Sequence, residues 1–291
     1  MKLVLFIAIA VLPFGLFAQS YEAGLMFGAS AYQGDISPET VNLSTGKAHP
    51  SLGLFFRYNV NKYLTAKANF SYGRVSGNDA AAGDEGRKAR NLSFQSNIYE
   101  FGITGELNLF GFEPGGLQNR YSPYLFGGIA VFHFNPETNY DGELVELQPL
   151  GTEGQGMEGF DQPYKLTQIA IPMGVGMKFA VSERLNIGAE IGFRKTFTDY
   201  LDDVSGTYVA YSELLRENGE LAAALGDRRG ELITDGNDIP VVIETGTQTR
   251  GNPGEKDWYA MAGLTISYTF YPKNGFGKNS GKKNDFGCPK F

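Results

Sequence analysis

The chain has 291 residues, 39 of them glycine and 13% aromatic, with one cysteine and a formal net charge of −7. A lone cysteine, Cys288, excludes an internal disulfide framework, so the core must hold itself by packing. The acidic balance argues against nucleic-acid binding, and beyond the first residues there is no run of about 18 apolar residues for a spanning helix.

The first predicted element is a secretory signal over residues 1–18. Lys2 precedes an apolar run from Leu3 to Leu16, and Phe17-Ala18-Gln19 offers a small residue before a cut. The run is short and broken by Pro13, which suits a signal better than a membrane helix. Weak period-2 patterns follow at 22–33 and 51–60. Leu64, Ala66, Ala68, Phe70 and Tyr72 then alternate with polar partners that include Lys67. Similar runs occupy 94–110 and 121–134. Ile169 to Phe179, Leu185 to Phe193 and Trp258 to Phe270 alternate strictly, the first two with Lys178, Glu190 and Arg194 on the polar phase.

Eight strands result, most reaching the roughly 9–11 residues that cross a bilayer at a tilt. Three connections are short (around Asn59–Lys62, Gly111–Arg120 and Ala180–Glu183) and four are long (34–50, 74–93, 135–163 and 198–256). The predicted fold is all-β: an eight-stranded antiparallel transmembrane β-barrel of OmpA/OmpW-like type over residues 19–270, with long extracellular loops and short periplasmic turns. Arg57, Lys67, Glu100, Glu106, Glu190 and Arg194 fall on the inward phase, where an eight-stranded barrel is just wide enough to fill with side chains. Buried charges must pair, which predicts a plugged interior network. Tyr63, Tyr72, Tyr121, Tyr124, Phe179, Phe197, Trp258 and Phe270 are candidates for interfacial girdles, and Lys195 for a snorkelling outer-end cation.

The loop 198–256 carries twelve acidic and five basic residues. Within it 212–225 reads as a helix, capped by Ser212 and weakened by Gly219. The tail 271–291 is Lys- and Gly-rich and falls on the periplasmic side, either a solvated terminus or an arm for a partner. No phosphate loop, paired-cysteine zinc site or nucleophile elbow occurs. His49 and His133 lack metal-ligand spacing, and neither a metal nor a cofactor is expected. Asp202-Asp203 with Asp199 nearby has the oxygen chemistry for Ca²⁺ but not the spacing of a known calcium loop, which favours a loop hydrogen-bonding role.

Several stretches resemble a Bacteroidetes outer-membrane family. They are Gly34-Asp35-Ile36-Ser37, Arg90 to Phe101, Tyr121 to Phe126, Leu147 to Gln155, Arg194 to Tyr208 (with Asp199, Tyr200, Asp202 and Asp203), Gly251-Asn252-Pro253 and Asp257-Trp258-Tyr259. The chain is similar to the PorG-like barrels of the type IX secretion system, a family overlapping one of unknown function. That resemblance implies a non-enzymatic barrel in outer-membrane lipid that links the membrane to a periplasmic ring of PorK and PorN. The alternative is a general small barrel for membrane integrity or apolar-ligand binding; a lipid-modifying enzyme using His133 is the third reading.

Overall fold

The computed structural model describes residues 20–36, 48–114, 119–233, 241–244 and 248–271, so the signal segment and the tail beyond Tyr271 lie outside the described residues. Eight strands form a closed antiparallel ring: β1 (Ser20–Gln33), β2 (His49–Asn59), β3 (Leu64–Asn78), β4 (Ser93–Asn108), β5 (Tyr121–His133), β8 (Thr167–Ala180), β9 (Leu185–Thr196) and β10 (Trp258–Phe270). Each pairs with its sequence neighbours in the ring, and β1 closes on β10 from Tyr21↔Phe270 to Gln33↔Trp258. Closure leaves no unpaired edge in this ring, which a lipid surround requires.

The two faces are inverted relative to a soluble barrel. Leu264 (68% exposed), Ile103, Leu54, Phe27 and Val175 point outward, while Glu22, Arg57, Glu106, Lys178 and Arg194 point inward and are buried. Water would not tolerate such an outside nor stabilise such an inside, so the solvent of this surface is lipid. No helix among the described residues is long and apolar enough to span; the strands make the crossing.

Inward glycines let large rings lie across the bore. A Cβ at Gly174 or at Gly192 would stand 2.6 Å from Cζ of Phe126, so both strands thin out where this ring packs.

The differences from the sequence reading lie mostly above the membrane. β3 runs to Asn78 and so takes in part of the predicted 74–93 loop, whose remainder holds the short helix α1 (Glu85–Arg90). The connection after β5 contains an extra hairpin, β6 (Pro136–Tyr140) and β7 (Glu143–Glu146), that extends the sheet from the outer end of β4. The helix expected over 212–225 is two helices, α2 (Tyr211–Glu217) and α3 (Glu220–Gly226), because Gly219 at φ +93° breaks it. Ser212 does not cap: α2 starts after Ala210, and the Ser212 amide and hydroxyl instead both donate to Glu244. Tyr124 belongs to no girdle. It lies on the inward phase with Ser122 and Phe126, 1% exposed.

Candidate functional site

Inward-facing charges on alternating strands meet in the lower bore as one neutral cluster. Arg57, Lys67 and Lys178 face Glu22, Glu106 and Glu190, all buried. Arg57 Nε reaches Glu106 Oε1 at 3.0 Å, Lys178 Nζ pairs with Glu106 Oε2, and Lys67 Nζ reaches Glu190 Oε2 at 2.6 Å. Glu190 also accepts the Tyr124 hydroxyl at 2.7 Å, and Glu22 accepts from Asn59 and Ser267 at 2.8 Å each. Three cations against three carboxylates leave no net charge to desolvate, and added donors fill the remaining lone pairs. Those are the conditions under which buried ions are tolerated. In the ring order β3 and β9 are opposite walls, so the Lys67–Glu190 pair crosses the diameter of the barrel.

Nearer the outer mouth, Arg194 forks onto Glu100, with Nε–Oε2 at 2.9 Å and Nη2–Oε1 at 3.2 Å. Tyr259 and Asn69 donate to the same carboxylate. All six charged residues expected inside thus take part, in two groups rather than one. Glu22, Lys178, Tyr124 and Tyr259 complete them. Lys178 was readable from the polar phase of its strand; Glu22 sits in a weak run beside glycine and methionine, where alternation gave little signal.

Met26, Ile98, Phe132, Phe134 and Leu201 belong to one buried apolar cluster that meets the Arg194–Glu100 pair at Phe132, which is in register with Glu100 and packs on the Tyr259 ring. Above it the long loops close into a cap. The Tyr32 hydroxyl, at the top of β1, lies 2.5 Å from Asp202 Oδ2 and 3.0 Å from Asp257 Oδ1. One hydroxyl proton is shared between two carboxylates, an arrangement best satisfied when one carboxyl carries a proton and donates to the tyrosine oxygen. Burial raises both aspartates above the ordinary carboxylate range, Asp202 to about 8 and Asp257 well up, with repulsion from Asp202 adding to the second. Their other oxygens take backbone amides: Val204 on Asp202 and Leu201 on Asp257. Asp203 accepts Thr152 at 2.5 Å and Tyr164 at 2.7 Å, and burial outweighs the nearby Arg250 to hold it at about 6. Arg250 joins Glu153 at 2.9 Å and the Asp203 carbonyl at 2.6 Å, while Arg90 ties Asp79 to the carbonyls of Asp35 and Arg250.

Of the expected motif-loop residues, Asp202 and Asp203 are therefore pillars of the cap. Asp199 holds Ser205 at 2.6 Å, and the Tyr200 ring stacks on Tyr164 at 4.7 Å. Protein donors reach Asp202, Asp203 and one oxygen of Asp199, while Asp199 Oδ1 is buried without a hydrogen-bond partner among the described residues. Residues 35–36, 90, 152–153, 199–205, 250–252 and 257, far apart in sequence, meet in this one layer. His133 stands apart at the exposed outer rim, its ring 3.1 Å from Thr167 Oγ1.

A profile of the domain of unknown function DUF6089 matches residues 1–221. No curated protein matches the sequence. Among solved structures, the chain is similar to Ail, the attachment invasion locus protein of Yersinia pestis. The identity is 9%, covering 87% of this chain and 100% of that one, with a TM-score of 0.40. The outer membrane protein OprG of Pseudomonas aeruginosa is 10% identical over 89% and 99% of the two chains, with a TM-score of 0.38. Neisserial surface protein A is 9% identical over 87% and 97%, also at 0.38. The closed strand pairing described above, and not these likenesses, defines the fold. By the extent of the profile match, the chain belongs to the DUF6089 family.

Proposed function

We propose that this member of the DUF6089 family is a non-enzymatic outer-membrane barrel of the Bacteroidetes type IX secretion system that anchors or organises the periplasmic ring of PorK and PorN. The observation that carries the reading is the Lys67–Glu190 bridge between opposite walls of the barrel, with the Arg194–Glu100 pair and the cap above it. A barrel tied shut across its diameter is a poor conduit and a good fixture. The resemblance of the cap motifs to PorG-like barrels supplies the partner. The ring would be met at the periplasmic turns around 60–63, 109–120 and 181–184, or by the Lys-rich tail 271–291.

The test is co-purification. Tagged full-length protein extracted from its own membranes is expected to bring down PorK and PorN, and deletion of 271–291 to weaken that capture. Intact secretion and a stable ring in a strain lacking the gene would remove the proposal. The reading as a barrel for apolar ligands is less well supported, because ion pairs rather than apolar walls line the lower bore.

A further inference from the structure

On the outward face, above the apolar belt, β3 and β4 carry a polar patch that the interior network and cap do not use. Tyr72 and Tyr99 are a cross-strand pair with ring centroids 5.2 Å apart, and the next pair outward is Arg74 with Asn97. Asn97 Oδ1 accepts both the Tyr72 hydroxyl and Arg74 Nε, each at 3.1 Å. This fixes the guanidinium plane through its Nε. Its two Nη groups have no protein acceptor among the described residues, and no carboxylate among them pairs with Arg74. Glu137 pairs in the ladder with Gln95, two strands from Arg74 and one pair further out, with Glu146 opposite it on β7. Ser76, two residues further out on the same phase, lies 2.7 Å from His49 Nε2.

We propose that Arg74, held by Asn97 and flanked by Ser76 and His49, binds the phosphate of an outer-leaflet lipid. An oriented guanidinium with both Nη groups free matches two phosphate oxygens. The Tyr72–Tyr99 pair and the apolar belt beneath, with Phe70 and Phe101 exposed, would take the ligand's acyl chains. The ligand is therefore amphiphilic. Lys195, another outward cation, differs in lying over the Trp258 ring with no side-chain hydrogen bond to orient it. The inference rests on the barrel's placement in a bilayer and not on the secretion role.

The full chain reconstituted in phosphatidylcholine vesicles, with spin-labelled phosphatidic acid as probe, reads the association constant of the anionic lipid relative to labelled phosphatidylcholine. The native protein is expected to prefer phosphatidic acid. Arg74→Gln should lower that preference about five-fold, as expected for one basic group near an anionic surface. Arg74→Lys, which keeps the charge and loses the fork, should fall between. Lys195→Gln should leave it unchanged. Heat-dependent gel mobility checks that each variant is folded. Equal preference in Arg74→Gln and the native protein overturns the proposal, as does equal loss in Lys195→Gln. Displacement of the lipid by inorganic phosphate at matched concentration also overturns it, leaving only a simple anion site.

Discussion

Removal of Arg194 isolates the energetic role of the interior pairs. Arg194→Leu leaves Glu100 buried, 1% exposed, with only the neutral donors Tyr259 and Asn69. Breaking a buried pair on one side costs about 3–5 kcal/mol, because the remaining charge loses its counter-ion in a low dielectric. Glu100→Leu strands the guanidinium and should cost a similar amount. The double variant removes both charges, so it should cost far less than the sum of the two. If water instead filled the bore, the pair would behave as a surface bridge worth about 1 kcal/mol or less. Reversible urea unfolding from lipid vesicles can follow Trp258, the chain's one tryptophan, which sits on the lipid-facing phase of β10. A coupling energy above about 3 kcal/mol is expected from the cycle. Additive single and double variants would refute the dry, paired interior and with it the argument that the barrel is shut.

Asp202 and Asp257 bind protons more tightly in the folded cap than in an open loop. Their contribution is therefore full below the ordinary aspartate value of 3.8 and is lost as pH rises through their raised folded values, about 8 for Asp202. Hydrogen exchange at the Leu201 and Val204 amides should speed up between pH 5 and 9 beyond its intrinsic rise, and Asp202→Asn should flatten that excess. Gly192→Val drives a branched side chain into the Phe126 ring and should cost about 1–3 kcal/mol in the same unfolding assay, with Phe126→Leu recovering part of it. Arg250→Ala leaves Glu153 and Asp203 without their cation. Trypsin should then cut at Arg216, Arg228 or Arg229 faster, while the barrel's gel mobility stays unchanged.

The membrane half of this protein was legible because lipid imposes a period of two on every strand. Leu64 to Tyr72 and Leu185 to Phe193 could face lipid in only one register, and that register sent Lys67 and Arg194 inward. The lower network could be foreseen as charges of both signs, but not as particular pairs. Lys67 meets Glu190 across 123 positions of sequence, a contact fixed by ring order alone. The cap was the least legible part. Loop contacts such as Arg250 with Glu153, or Tyr32 with Asp202, follow no periodicity and arise only once the strand ends are placed. The break at Gly219 shows the same limit locally. The glycine was visible as a weak point, but its positive φ and the packing of α2 against α3 that it allows were not.

The Tyr32–Asp202–Asp257 contact takes one member from the end of the first strand, one from the connection after β9 and one from just before the last strand. It therefore lies directly over the seam where β1 meets β10. The three-way contact is complete only where β1 and β10 are joined. Without that join, the tyrosine and the two aspartates would stand apart and hydrated.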